Sequence, residues 1–541
     1  MRYLLTMLAA AMTMPVMAQL DNTVEVTNEV KPVVSDAKKV EVKAKAAETK
    51  VQQYTMEYAL QSQPLQSFVE SPIGDYRSDA VKEGDSRGYV HLGGGSHGNL
   101  DGQIAYQFDF TDKDALALDL SLKGFNGKTR ENDCFGVEEW KSRDYRNRAA
   151  MKYSHRFANG ADFYVKGAFE NHLFNYLAYG GGTDKQHNVL GNAVIGIDPY
   201  RTGGLTVGAS AGVKFFQQNY LTSLQEKLGE MLIHANADVA YQLDDVQRAG
   251  LGVEFVNSSY KTDGLEGAAR FRFTPHYIYN SDLMRLKLGV FASAEGRVAP
   301  DVEFVYRLDG NSDVYAEVRG YEKDNDFRSL SGLNPYFVLN NVPADVEAEF
   351  HQLDAKIGYR LKGMAGWNAD VSGGFDMAEH HADMGGFMAS LRDYVYPLME
   401  FRKSRCFYVN ADFTYTWADI LRLDAKNRLN IESNKHGDEW IKGSYVRPVF
   451  SMDWKLDVKM QQLVVGLDWA FACYSEPDAP VVGSYSYERS NTMNLGASVR
   501  YTLHPLTLFV KGDNLLNQNY DCYFGYRNIG ANFLAGFAVS F

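Results

Sequence analysis

The chain has 541 residues, a net charge of −13 and 13% aromatic residues, with 48 glycines against 14 prolines. The acidic balance argues against nucleic acid as a partner. The four cysteines, Cys134, Cys406, Cys473 and Cys522, are too scattered for metal spacing or a disulfide framework, which leaves a loop disulfide open.

Residues 1–18 hold Arg2, an apolar run and then Pro15-Val16-Met17-Ala18 before Gln19. This is the layout of a cleaved export signal, too short for a spanning helix of about 20 residues. Residues 19–86 are rich in Val, Lys, Glu and Ala without sustained alternation. They are expected to form a periplasmic tail, mostly flexible on its own. Inside it, Asp21-Asn22-Thr23-Val24-Glu25-Val26-Thr27 is a β-prone stretch suited to edge-strand pairing.

From Arg87 to the end the hydrophobic period is two. Ile104, Tyr106 and Phe108 alternate with Gln103, Gln107 and Asp109; Leu116, Leu118, Leu120 and Leu122 alternate with Asp119, Ser121 and Lys123. The same pattern recurs at 205–215, 284–293 and 493–501. Segments of about 10 residues with one apolar face span a bilayer as tilted strands, with lipid outside and a polar lumen inside. Connections alternate between short (111–114, 158–160, 243–245, 280–282, 362–364, 417–419, 504–505) and long (127–141, 175–186, 322–345, 380–404, 475–490, 515–530). Short periplasmic turns and long external loops are the rule for such barrels. The count is about 22 strands, with 298–321 read as one hairpin or none. Trp367, Trp417 and Trp454 are candidates for the periplasmic aromatic girdle. Asp119, Lys123, Lys166, Glu170, Lys214, Arg285, Lys287, Glu295, Arg500 and Lys511 face the lumen in this register. They line a wide wet pore or form ion pairs in a lumen closed by loops.

Three motifs point elsewhere and are set aside. Gly93-Gly94-Gly95-Ser96-His97-Gly98 satisfies a dinucleotide fingerprint but is followed by another strand, not a helix, so it reads as a hairpin. Gly208-Ala209-Ser210-Ala211-Gly212 lies in mid-strand, not at a nucleophile elbow. Glu379-His380-His381-Ala382-Asp383 places adjacent histidines on opposite strand faces and is expected to be a solvated external loop.

The chain ends on a strand whose lipid face is Phe533, Ala535, Phe537, Val539 and Phe541. Before it stands Gly512-Asp513-Asn514-Leu515-Leu516-Asn517-Gln518-Asn519-Tyr520. Together these resemble the penultimate-strand pattern and terminal strand of TonB-dependent receptors. The segments Arg297-Val298-Ala299-Pro300-Asp301 and Leu333-Asn334-Pro335-Tyr336 are similar to the mid-barrel of that family. The resemblance implies a 22-strand barrel and makes residues 21–27 the candidate TonB contact. It departs from the family in one respect: residues 19–86 are too few for a globular plug. The expected architecture is therefore an all-β transmembrane antiparallel barrel of about 22 strands over 87–541. It follows a signal peptide, 1–18, and a tail, 19–86. Outer-membrane lipid is the expected surround, in a Gram-negative bacterium. No catalytic residue, cofactor or metal is expected, and the chain is not read as an enzyme. The leading function is a transport channel or receptor for solutes. The alternatives are a non-transporting subunit or scaffold of a larger outer-membrane complex, and a receptor that takes a lid from a partner protein.

Overall fold

The structure is a computed structural model that describes residues 87–129, 140–178, 185–219, 227–262, 264–339, 346–389, 394–475 and 489–541. The signal, the tail with residues 21–27, and Cys134 lie outside the described residues. One sheet dominates. Of its 25 members, three short pieces at 177–178, 338–339 and 439–442 ride on other strands, and the remaining 22 are barrel staves. Each stave is antiparallel to the next in the chain, from Gly88–Gly95 and Leu100–Asp109 through to Leu506–Asp513 and Asn532–Ser540. The first and last pair with each other, Tyr89 with Ser540 through Gly95 with Leu534, and close the barrel. Closure leaves no free sheet edge, the condition for exposing strands to lipid. No helix among the described residues is long and apolar enough to cross a membrane.

The period-two pattern sets which face each side chain takes. Leu118, Leu120 and Leu122 are exposed on the outside, beside Ile104 and Phe108. On the lumen side Gln103 Nε2 donates to Asp119 Oδ2 at 2.6 Å, and Lys287 pairs with Asp301 at 2.5 Å. Leu120 stands opposite Ile104, and Ser121 opposite Gln103. Leu120→Arg is therefore expected to destabilise the folded barrel by about 2–4 kcal/mol, and Ser121→Arg by much less. Unfolding titrations in detergent or lipid would compare them; equal costs would mean that the register is wrong by one residue.

Several lumen glycines sit under rings from a neighbouring stave. A Cβ on Gly358 would stand 2.4 Å from the Tyr315 ring, and one on Gly374 2.5 Å from that of Tyr408. Each tyrosine lies across the gap that its glycine leaves. Its hydroxyl then donates to an aspartate, Tyr315 to Asp370 and Tyr408 to Asp354, both at 2.6 Å.

The barrel seam runs to the last residue. Arg87 and Gly88 donate their N–H groups to the Phe541 carbonyl, and Phe541 N–H donates to Gly88. Deleting Phe541 removes these bonds and the aromatic end of the lipid face. The expected result is a lower yield of heat-modifiable folded barrel on gels; an unchanged yield would separate the terminal residue from assembly.

The structure decides one open reading, corrects two expectations and agrees with a third. Residues 298–321 form a full hairpin, Val298–Arg307 and Ser312–Lys323. The long loop expected at 380–404 is mostly wall: Trp367–Ala389 and Tyr394–Trp417 are strands of 23 and 24 residues. Their polar, histidine-rich ends hide the alternation because they pack against other protein groups. Trp367 and Trp417 stand at the short-turn end, but Trp454 lies within Phe450–Met460 and pairs with Trp469 across the strands. The glycine-rich run at 93–98 is a tight hairpin with one 3-10 turn, Ser96–Gly98.

Candidate functional site: the loop-closed mouth

At the long-loop end, chain from two loops turns inward. Residues 324–339 leave Ser312–Lys323 and cross to the wall formed by Asp162–Asn175, Lys185–Thr202, Leu205–Asn219 and Lys227–Gln242, and residues 346–348 lead into Glu349–Met364. The crossing carries a short helix, Phe327–Leu333. Asp326 caps it, accepting from Ser329 N–H at 2.6 Å. Each side of the helix finds a polar seat on the wall. Glu230 accepts from Phe327 N–H at 2.8 Å, Asn188 donates to Ser331 Oγ at 3.1 Å, Arg328 pairs with Glu170 at 3.1 Å, and Lys214 lies 3.7 Å from Asp326. Lumen charges near the mouth therefore bind the loop.

Beyond the helix the contacts become aromatic. Tyr336 stacks on Tyr526, with centroids 3.6 Å apart and planes 4° apart, and meets Phe174 edge-on at 5.2 Å. Tyr526 belongs to the second inward loop, 514–531. Its hydroxyl donates to the Val395 carbonyl at 2.8 Å. Tyr523, in the same loop, accepts from Arg146 at 2.5 Å. Val338 and Leu339 add a parallel bridge to Leu398 and Met399. Phe174, Tyr176, Phe327, Phe337, Tyr396 and Phe524 are fully buried in one continuous cluster. Burial pushes the Tyr336 phenol well above its ordinary value and the Tyr523 phenol up to about 12, so the layer is neutral at ordinary pH.

The asparagine-rich stretch launches the second loop. Asn514 and Asn517 both take left-handed backbone conformations, with φ of 48° and 52°, which asparagine tolerates better than most residues. Asn514 also donates to and accepts from the Gln518 backbone, at 2.8 and 3.0 Å, ending the stave and turning the chain inward.

Both roots of the crossing loop are fixed by ion pairs. Arg272 binds Glu322 at 2.9 Å and Asp324 at 2.6 Å; Arg297 binds Glu322 at 3.2 Å and Glu347 at 2.9 Å. Arg270 donates to the Val346 carbonyl at 2.8 Å. Glu322 has 0% side-chain exposure and Arg272 4%. The Arg272–Glu322 pair is therefore dry and strongly coupled.

Of the two histidines expected in solvent, His381 belongs to a neighbouring buried network, whereas His380 stays partly exposed at its edge. His380 sits at an irregularity in the pairing of its strand, with φ of 57°, and binds Glu347 at 2.9 Å. His381 binds Glu349 at 2.6 Å and Glu432 at 3.5 Å; His351 binds Glu349 at 3.3 Å and Asp376 at 2.7 Å. Arg447, from a loop, closes the set on Glu432 at 3.1 Å. Burial works to lower the Arg447 guanidinium, but the charge of Glu432 outweighs it and holds it above its usual range. No group of side chains among the described residues is arranged to hold a metal ion. Cys406, Cys473 and Cys522 are free thiols. Ser210 is a plain lumen residue whose hydroxyl donates to Asn236 at 2.9 Å. The sequence pattern missed the inward course of both loops. Several of the contacts that hold them join residues more than a hundred positions apart, such as Asn188 with Ser331 and Tyr526 with Val395.

No protein-family model matches the chain, and no curated protein matches it by sequence. Solved structures do. The iron transporter FrpB of Neisseria meningitidis superposes with a TM-score of 0.65 at 9% identity, over 85% of this chain and 82% of that one. The copper transporter OprC gives 0.62 at 12% identity, over 84% and 80%. A mutant of the ferric enterobactin receptor PfeA of Pseudomonas aeruginosa gives 0.61 at 11% identity, over 85% and 81%. These neighbours are transporters and receptors, not enzymes. At such identities the likeness is one of architecture: the chain has the 22-strand barrel fold of the outer-membrane TonB-dependent receptors.

Proposed function

We propose that this protein is an outer-membrane transport barrel for solutes, held closed at its external mouth by its own loops. The observation that carries the reading is a receptor-type barrel with charged side chains along the lumen wall beneath a loop-built seal. Lys166, Asp119 and Arg500 stand on the inner face of the wall, and a water-filled path for solutes needs a polar wall of this kind. In this reading the long-loop end faces outward and both chain ends lie in the periplasm. The inward loops supply a seal without a globular plug. The iron, copper and ferric enterobactin taken by the neighbours make a chelated metal the first solute class to try. TonB would engage residues 21–27 by strand addition.

The dry aromatic layer favours a second reading, a non-transporting subunit of a larger assembly. Unseating Phe327, Tyr336 and Phe337 exposes three large side chains at about 1.5–3 kcal/mol each. Opening on that scale would need a ligand that prefers the open state by about 10⁴-fold. Purification in mild detergent separates the readings. A barrel recovered alone supports transport. One or more stoichiometric partners retained through size exclusion would support the subunit reading.

A further inference from the structure

The outer face of Trp367–Ala389, Tyr394–Trp417, Leu421–His436 and Glu439–Lys442 changes character at the long-loop end. On Tyr394–Trp417 the outward residues Tyr415, Phe413, Ala411, Val409 and Phe407 carry no charge. The stretch 405–415 has the length of about 10 residues that a tilted strand needs to cross the hydrocarbon. Its last apolar row is Phe375, Phe407 and Ile431, exposed side by side on three strands. The next row is Met377, Arg405, Ser433 and Lys442. Residues directly opposite in an antiparallel pair share a face, so Arg405, Ser433 and Lys442 point the same way. One row further Lys435 stands opposite Trp440, and the Arg405 guanidinium lies over the Trp440 ring at 4.0 Å. Against Lys403, Arg405, Lys435 and Lys442 this face sets Glu379, which is already paired with Lys403. Glu439 pairs with His436 and falls on the other face. Among the described residues Arg405, Lys435 and Lys442 have no ion pair.

A cationic row just past the last apolar row, with an aromatic ring in it, fits the level of lipid headgroups. Trp367 and Trp417 stand at the opposite end of the same strands, where the other membrane boundary falls. The cationic row faces away from the lumen, so a solute in the pore does not meet it. The backbones of Arg405 and Lys442 are two strand spacings apart, roughly 10 Å, with the Ser433 hydroxyl between them. That gap suits a phosphate group, with two cations for its charge and a hydroxyl donor between. We propose that this rim binds a phosphorylated glycolipid of the outer leaflet, its phosphate between Arg405 and Lys442 and its acyl chains along Phe375, Phe407 and Ile431. The apolar row beside the cations favours a lipid over a free phosphate. The inference rests on the outward placement of the long-loop end, and not on transport.

Native mass spectrometry of the full chain in mild detergent, with diphosphoryl lipid A added, tests the proposal. The expected result is retained lipid A, with an apparent affinity about tenfold or more lower in the triple variant Arg405→Gln, Lys435→Gln, Lys442→Gln. Heat-modifiability shows whether that variant is folded. Dephosphorylated lipid A should bind the native chain as weakly as lipid A binds the variant, a comparison that needs no substitution. Equal binding of the two lipids, or no loss in the folded triple variant, would overturn the proposal. Displacement of lipid A by an equal concentration of inorganic phosphate would assign the rim to a free anion and overturn it too. The outward placement is checked separately by a tag inserted between Gly437 and Asp438, in the turn between Leu421–His436 and Glu439–Lys442. The tag should be labelled in intact cells; labelling only after lysis would overturn the placement and the proposal with it. None of these readouts depends on conductance, so a barrel that does not transport would leave them unchanged.

Discussion

Replacing residues 326–339 by a short Gly-Ser linker is expected to convert a closed barrel into a conducting one. The segment contributes the helix Phe327–Leu333, the stacked Tyr336 and the fully buried Phe337. Its removal empties the centre of the aromatic layer and leaves Tyr523 and Tyr526 without Tyr336, which faces both. The staves keep their hydrogen-bonded ladder, so the barrel should still fold and remain heat-modifiable. Planar-bilayer recordings would show long closed records for the native chain and sustained large-amplitude openings for the shortened one. In cells the same change should admit large antibiotics that the outer membrane excludes. A folded, shortened protein that stays closed would mean that 514–531 or another segment seals the lumen alone, and would weigh heavily against transport through this mouth.

Arg272→Ala should be the most damaging single substitution at the loop root. It leaves Glu322, with no side-chain exposure, and Asp324 without their shared cation. Removing one partner of a buried pair costs about 3–5 kcal/mol, because the remaining charge stays out of water. Glu254→Gln removes a partner of the same arginine that is 45% exposed, and should cost at most about 1 kcal/mol. Urea unfolding in lipid, followed by tryptophan fluorescence and heat-modifiability, gives both values. Arg272→Ala should also leak current, since the loop loses its hold at Asp324. Similar small costs for both variants would show that the root is wet and that Arg270 and Arg297 suffice.

The alternation of Leu116, Leu118, Leu120 and Leu122 with Asp119, Ser121 and Lys123 determines by itself that this region is a strand with a lipid face and a lumen face. Period two leaves no other choice, and the short connections at 111–114, 158–160 and 504–505 then determine which strands are neighbours. The aromatic end at Phe541 and the asparagine turn at 514–520 carry the likeness to receptor barrels. The sequence did not determine what fills the mouth. Residues 324–339 and 514–531 have no period, because their side chains answer to different distant partners: Arg328 to Glu170, Tyr336 to Tyr526, with Gln218 reaching the Pro335 carbonyl. His380 and His381 look like solvated loop residues for the same reason. Their acidic partners lie on or beside neighbouring staves, Glu347 and Glu349 at the start of Glu349–Met364 and Glu432 on Leu421–His436, and only the pairing register of those staves brings the carboxylates within reach.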